Sequence, residues 1–344
     1  VKVVVTGASG NIGTALLRER SWEIVGVSRR RPDTGLPWVQ CDLGDSQAVG
    51  ILTDALRGAD VVVHLAWAIH PRTDDPDMYR TNVAGTDNLL RAVAAAGVPH
   101  LVCASSVAAY APGGSFVDES WPCTGVPGSA YSATKALMES QLDAFSLRNP
   151  STGIARIRPC GVVQGAAAAE FRSWLLSPLI PAGILGRRWL PIPLWPGMRL
   201  QITHSDDVAQ AIRLIIAQRA TGPFNLAGEP LLPAGELAGL FGGPRVPVPL
   251  SLLMAAAWLG WRVGVQPLHP GWLRLADRAS TVDSSRARRE LGWSPEHDAG
   301  AAVRELVASM RSLGPGEKLR FGRPSHQSQS PTRFANGQIP QAAK

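Results

Sequence analysis

The first half of the chain alternates short, wholly apolar runs with stretches whose apolar residues recur at helical spacing. Val3-Val4-Val5 leads into glycines at 7, 10 and 13 and then into the helix-forming run Thr14-Ala15-Leu16-Leu17-Arg18. Further strands are predicted at 23–28, 38–43, 60–66, 100–106 and 152–159, with helices at about 46–57, 75–97 and 130–147. Gly97 and Pro99 stop the second of these helices. Strands that are apolar throughout belong to sheets buried on both faces, and their alternation with helices makes the sheet parallel. The pattern predicts an α/β, doubly wound parallel sheet.

Beyond about residue 165 the regularity fades. Prolines at 178, 181, 191, 193 and 196 and tryptophans at 174, 189 and 195 predict irregular structure. A helix returns at 205–218, with Ser205 as its expected cap and Asp206 and Asp207 in its first turn. An apolar helix is predicted over 249–262, and closing helices over 284–291 and 300–313. The segment 313–344 has few apolar anchors and is expected to be disordered. Seven of the eleven tryptophans follow residue 170, which suits either an apolar pocket or a core.

Charge narrows the range of partners. The formal net charge is +7, but 313–344 alone holds five basic residues against Glu317. The remainder is too weakly basic for an electrostatic footprint on nucleic acid. Cys41, Cys103, Cys123 and Cys160 lie far apart with no C-x-x-C pair, which argues against zinc or a disulfide framework and suits a reducing cytoplasm. No leader is expected, since the first strand opens the chain, and the 250–261 apolar stretch is too short to span a bilayer.

Three stretches carry chemistry. The turn Gly7-Ala8-Ser9-Gly10-Asn11-Ile12-Gly13, between strand and helix, suits a pyrophosphate held by backbone N–H groups, although glycine-rich turns also occur as plain loops. Tyr131 and Lys135 stand at i and i+4 of a helix and so share a face. A phenol acts as a base near neutrality only if its pKa falls by about 3 units from 10, and a neighbouring ammonium supplies that bias. Ser105-Ser106 lies at the C-terminal end of the fifth strand, the edge where open α/β sheets bind ligands. A hydroxyl there can bond the carbonyl oxygen that Tyr131 protonates.

Together these residues resemble the extended short-chain dehydrogenases/reductases, in the NAD-dependent epimerase/dehydratase group. Matching segments include Thr6–Gly13, Cys41-Asp42-Leu43, His64-Leu65-Ala66, Asn82-Val83-Ala84-Gly85-Thr86 and Ser105 to Tyr110. Tyr131-x-x-x-Lys135, Arg158-Pro159, His204 to Ala209, Phe224 to Gly228 and Leu291 to Pro295 extend the match over about residues 1–312. The resemblance implies a Rossmann-type dinucleotide-binding domain over 1–164, rejoined by segments around 199–227. A smaller, mainly substrate-binding region would cover 165–312. It implies Ser106, Tyr131 and Lys135 as catalytic residues, with Lys135 also holding the nicotinamide ribose. Gly7, Gly10, Asn11, Ile12 and Gly13 would hold the pyrophosphate, while Asp42 and Leu43 flank the adenine. Leu65, Ala66, Asn82, Ser105, Pro159 and Val162 would line the remaining cofactor groove. Pairing of two copies through helices 75–97 and 130–147 is also implied. His64 and His204 read as buried structural residues.

The departures from this group bear on specificity. An NAD-preferring site ends its second strand with an acid, whereas here Ser28 is followed by Arg29 and Arg30, which suit a 2′-phosphate. NADP(H) is therefore expected ahead of NAD(H). The Arg-x-x-Asn that reads sugar nucleotides is Arg158-x-x-Gly161, Leu200 stands where a diphosphate-binding arginine often does, and no Asp/Glu pair follows Ser106. The leading expectation is hydride transfer between nicotinamide and a secondary alcohol or ketone. An NAD-dependent sugar-nucleotide epimerase, such as a UDP-sugar 4-epimerase, and a non-catalytic dinucleotide-binding redox sensor are the alternatives.

Overall fold

The computed structural model describes residues 1–313 except 20, 33–34, 70–75 and 177–181, so Pro178, Pro181 and the predicted disordered tail apart from Leu313, which is buried, lie outside the described residues. Strands β1 (Lys2–Thr6), β2 (Glu23–Ser28), β3 (Trp38–Gln40), β4 (Val61–His64), β5 (His100–Ala104) and β6 (Gly153–Pro159) alternate with helices. These are α1 (Asn11–Leu16), α2 (Ala48–Leu56), α3 (Pro76–Tyr79), α4 (Gly85–Ala96) and α5 (Ala130–Arg148). The second half contributes β7 (Gly161–Val163), α6 (Ala168–Leu175), β8 (Ile192–Leu194), β9 (Arg199–Leu200), β10 (Ile202–His204) and α7 (Ser205–Gln218). It continues through β11 (Gly222–Leu226), β12 (Leu232–Pro233), α8 (Ala234–Phe241), β13 (Arg245–Pro247), α9 (Leu250–Arg262), α10 (Pro270–Arg278), α11 (Ser285–Leu291) and α12 (Ala299–Ser312).

Seven strands form one parallel sheet in the order β11-β6-β5-β4-β1-β2-β3. The uniform hydrophobicity of its strands has a direct cause. Val3 and Val5 of β1 face one core with α7, whereas Val4 faces a second core with α2, α4 and α5. The same division separates Val61 and Val63 from Val62, and Val102 and Ala104 from Leu101 and Cys103. The chain runs outward in opposite directions from β1 and β4, which opens a crevice at the C-terminal edge between them.

Local chemistry trims the predicted elements. β3 ends at Gln40 because the Asp42 carboxylate accepts the Gly44 N–H and turns the chain, leaving Cys41 and Leu43 buried outside the strand. The long helix predicted over 75–97 is divided by a π-helical turn at Arg80–Ala84, and Gly97, with φ of 66°, ends it. The cap of α7 is His204, whose Nδ1 accepts the Asp206 N–H; Ser205 donates instead to Asn11. A separate smaller core joins α6, α8 and α12 to residues of β7, β10 and β12. The region after 165 also returns to the sheet: Ala287, Leu291 and Trp293 pack with α7 beneath β1. Helix α9 carries no buried residue, in contrast to the other long helices.

Candidate active site

The turn between β1 and α1 is kept bare by packing. Gly7 has φ of +69°, and a Cβ there would lie 2.5 Å from the Ala66 backbone nitrogen. A Cβ on Gly13 would lie 2.5 Å from the carbonyl oxygens of Gly7 and Ala8, and one on Gly10 would stand 3.1 Å from the Gly7 oxygen. Side chains are thus excluded where β1 meets β4, the cradle that a pyrophosphate requires, so these residues fit a dinucleotide. Asn11 has a different task from the expected one for its side chain. Its amide donates to the Val162 carbonyl and accepts from Gln164 and Ser205, tying the turn to β7 and α7. Ile12 packs into the core beside α7.

At the end of β2, Arg29 and Arg30 are exposed. The Ser28 hydroxyl donates to the Arg30 carbonyl and accepts the Trp38 indole N–H. Burial works against charge on Asp42, but the 2.7 Å ion pair with Arg80 and the Gly44 N–H hold its carboxyl below the usual range. A Cβ on Gly85 would lie 2.9 Å from that of Leu43, so Leu43 and the π-turn region are in close contact.

Leu65 and Ala66 continue from β4 and are half-buried at the crevice. Asn82, expected to line the groove, is fully buried; its amide accepts the Ala68 N–H and donates to the Ala68 carbonyl. It positions the segment after β4 rather than presenting a surface to a ligand. His64 is a satisfied core residue. Thr86 donates its hydroxyl proton to the Asn82 carbonyl, so it accepts from His64 Nε2, and Thr6 then donates to Nδ1. Burial, reinforced by the charge on Lys135, pushes the imidazole down to about 3. The free imidazole titrates near 6.5, so the unfolded chain takes up this proton first as pH falls. The stabilisation is complete above about pH 6.5 and is reduced by about 2 kcal/mol at pH 5. Denaturant titrations at about pH 7.5 and pH 5 should show this loss, and His64→Gln should narrow it; an unchanged gap would place the pH dependence elsewhere.

Ser106, Tyr131 and Lys135 converge beyond β5. Ser129 caps α5 by accepting the Ser132 N–H, which sets Tyr131 in the first turn. Ser106 accepts the Ala108 N–H, lies 3.4 Å from the Pro159 carbonyl and faces the Tyr131 phenol. Burial raises the phenol above its ordinary pKa, and the Ser106 hydroxyl opposes that rise. Lys135 departs from expectation. Its Nζ donates to the Ala104 carbonyl at 2.7 Å, lies 3.5 Å over the Trp67 ring and is 6.0 Å from the Tyr131 ring centre. Burial pushes this ammonium down to about 7, against the opposing charge of Glu139. The Lys135 ammonium is thus engaged by the Ala104 carbonyl and Trp67, and the hydroxyl that opposes the rise at Tyr131 is that of Ser106. Ser105 is buried, and its hydroxyl makes no hydrogen bond among the described residues.

Behind these residues lies a buried ion network. Arg158 donates through Nε and Nη2 to the two Glu139 oxygens, at 2.8 and 3.0 Å, and through Nη1 to Tyr110 and the Glu119 carbonyl. Arg156 adds a second guanidinium on Glu139. Arg158 is therefore engaged internally and does not face the crevice. A Cβ on Gly161 would lie 2.8 Å from Ile202 Cδ1, which occupies the space of the missing asparagine side chain. Leu200 packs into the smaller core, and Arg199 is exposed.

Several residues of the site have no short motif to announce them. Trp67 bears the Lys135 ammonium, Glu139 lies one turn beyond Lys135, and the Trp272 ring of α10 packs at a tilt against Tyr131 with centres 5.2 Å apart. The i, i+4 spacing of Lys135 and Glu139 was available in the sequence, but both tryptophans reach the site through long-range packing. Of the late tryptophans, Trp195 and Trp293 are core, Trp189 and Trp258 are exposed, and Trp272 alone contacts Tyr131 among the described residues. His204, Asp206 and His297 bring possible ligand atoms within 4.8 Å, but the two imidazoles stack at 4.0 Å. His204 Nδ1 accepts the Asp206 N–H and its Nε2 faces Glu305, and His297 Nδ1 meets Asp207, so these ring nitrogens are already engaged within the protein.

The chain is similar to an uncharacterized protein of Mycobacterium tuberculosis, 26% identical over 328 residues; the match covers 92% of this chain and 31% of that protein. The chain thus spans about a third of the length of the mycobacterial relatives it matches. It is 29% identical to a 4-hydroxy-2-methyl-3-oxo-4-farnesyl-3,4-dihydroquinoline-1-oxide ketoreductase of Stigmatella aurantiaca, covering 86% of this chain and 92% of that one. Among solved structures, the UDP-glucose 4-epimerase of Thermus thermophilus in complex with NAD shares the fold, with a TM-score of 0.67, 22% identity and coverage of 91% and 100%. The sheet order, the bare glycine turn and a family model matching residues 3–227 lead to one assignment: the chain belongs to the NAD dependent epimerase/dehydratase family.

Proposed function

We propose that this protein is an NADP(H)-preferring oxidoreductase that moves hydride between nicotinamide and a secondary alcohol or ketone, with NAD(H) as the weaker cofactor. The observation that carries the reading is the Ser106 hydroxyl facing the Tyr131 phenol at the end of β5, under the apolar ring of Trp272. Tyr131 gives its proton to the carbonyl oxygen as the alcohol forms and takes it back in the reverse direction, and Ser106 holds that oxygen. Nicotinamide supplies the hydride when bound, with its positive charge in the oxidised form favouring the phenolate. Gly7, Gly10 and Gly13 would accommodate the pyrophosphate, and Lys135, held here by the Ala104 carbonyl and the Trp67 ring, would turn from them to hold the ribose. Arg29 and Arg30, exposed and without an acid at the strand end, hold a 2′-phosphate.

The internal engagement of Arg158 and the Ile202 packing at Gly161 favour a carbonyl compound over a sugar nucleotide. The ketoreductase relative supports the same direction. The test combines cofactor titration with turnover. NADPH should bind more tightly than NADH, Arg29→Ala with Arg30→Ala should weaken NADPH alone by about tenfold or more, and apolar ketones should consume NADPH stoichiometrically. Equal losses for both cofactors would remove the arginines from the 2′-phosphate site. NAD retained through purification, with UDP-sugars interconverted and no net change in cofactor, would replace this reading by an epimerase.

A further inference from the structure

Helix α9 inverts the usual relation between a surface helix and water. Of its thirteen residues only Ser251 and Arg262 are polar or charged, yet none is buried. Leu252, Leu259 and Val263 recur at helical spacing on one face and are 60%, 57% and 62% exposed, with Trp258 beside them at 53%. The face extends beyond the helix. α9 packs on β8, β8 pairs with β13, and the Gly243 N–H just before β13 bonds the Leu190 carbonyl. The adjoining Arg187, Arg188 and Trp189 are exposed, Trp189 at 67%.

The segments that build this face carry charge of one sign. No Asp or Glu occurs between Glu236 and Asp277, nor between Glu170 and Asp206, while Arg187, Arg188 and Arg262 are exposed. A second copy of the chain is a poor occupant, since a two-fold interface would bring the same arginine rim against itself with no carboxylate between. An anionic bilayer suits both features: Trp and Leu enter the acyl boundary, and guanidinium groups meet the phosphates. Helix α9, at thirteen residues, is too short to span, and no described helix is long and apolar enough to cross a membrane. It would lie in the interface plane.

We propose that the α9 face, with its arginine rim, docks this protein on the surface of an anionic lipid bilayer. The surface is one helix away from the reacting phenol, because α10 packs against α9 and carries Trp272 onto Tyr131.

The test is cosedimentation of the full chain with vesicles of phosphatidylcholine alone and of phosphatidylcholine mixed with phosphatidylglycerol. Tryptophan quenching by brominated acyl chains is read in parallel. Binding should require the anionic lipid, quench fluorescence, and fall about tenfold in Leu252→Gln with Leu259→Gln and similarly in Arg187→Gln with Arg188→Gln. These side chains are exposed, so the variants keep the fold, and Trp258→Phe should remove much of the quenching while preserving binding. Equal binding by the wild type and both variants would assign adsorption to another segment, including the basic residues beyond 313, and overturn the proposal. Binding without quenching would leave α9 in water and overturn it too. An absence of binding, with a dimer that the leucine variant dissociates, would give the face to a second copy. None of these readouts depends on turnover, so their failure leaves the reading of Tyr131 untouched.

Discussion

Replacing Tyr131 by Phe should lower kcat/KM for carbonyl reduction by about 10²–10⁴-fold, the range for loss of a general acid–base group. The substitution removes one oxygen and preserves the ring that packs at a tilt against Trp272, centres 5.2 Å apart, so the first turn of α5 keeps its packing. NADPH affinity should remain within about twofold, because the pyrophosphate and ribose positions lie on other residues. Ser106→Ala should act through the same proton: the Ser106 hydroxyl is the group that eases ionisation of Tyr131, and without it the basic limb of the pH–rate profile should move upward. Tyr131→Phe turning over within about tenfold of the wild type would end the acid–base assignment.

Glu139→Gln should be the most destabilising single change near the site, by roughly 3–5 kcal/mol, the cost of breaking a buried pair from one side. The Glu139 side chain is 2% exposed and Arg158 is 5% exposed. The substitution leaves the Arg158 guanidinium buried without its counter-charge and strips Arg156 of one of its two carboxylate partners. Chemical denaturation measures the loss, and adding Arg158→Gln should recover part of it because the uncompensated charge then disappears. Independent, additive losses would mean that the pair contributes no coupling. The change should also reach Lys135, where Glu139 opposes burial, lowering an ammonium pKa already near 7. The buried network thus both supports β6 against α5 and sets the charge of a site residue.

Helix α9 and helix α5, which carries Tyr131 and Lys135, show how far periodicity carries. Both were expected as helices from local pattern, and both form. A helix apolar all round is ordinarily buried, whereas the structure leaves the α9 face exposed. A hydrophobic pattern records which face avoids water, whereas the neighbour that covers it is a long-range property. The same distinction explains Lys135. Its i, i+4 relation to Tyr131 was legible, but the direction of a four-carbon side chain was decided by the Ala104 carbonyl and the Trp67 ring.

The sequence by itself determined the parallel sheet, because β1, β4 and β5 are apolar on both faces and that pattern has few other solutions. It also determined the bare turn, since only glycine fits at residues 7 and 13, and the order in which Ser106, Tyr131 and Lys135 follow it. Only the tertiary structure decided that Asn82 holds Ala68, that Arg158 is locked on Glu139 and that Trp272 lies on Tyr131. Each of these joins separate elements, by 14 and 19 residues for the first two and by most of the second half of the chain for Trp272. Local propensity depends on neighbours a few residues away, while burial and ion pairing depend on which distant element the fold brings alongside.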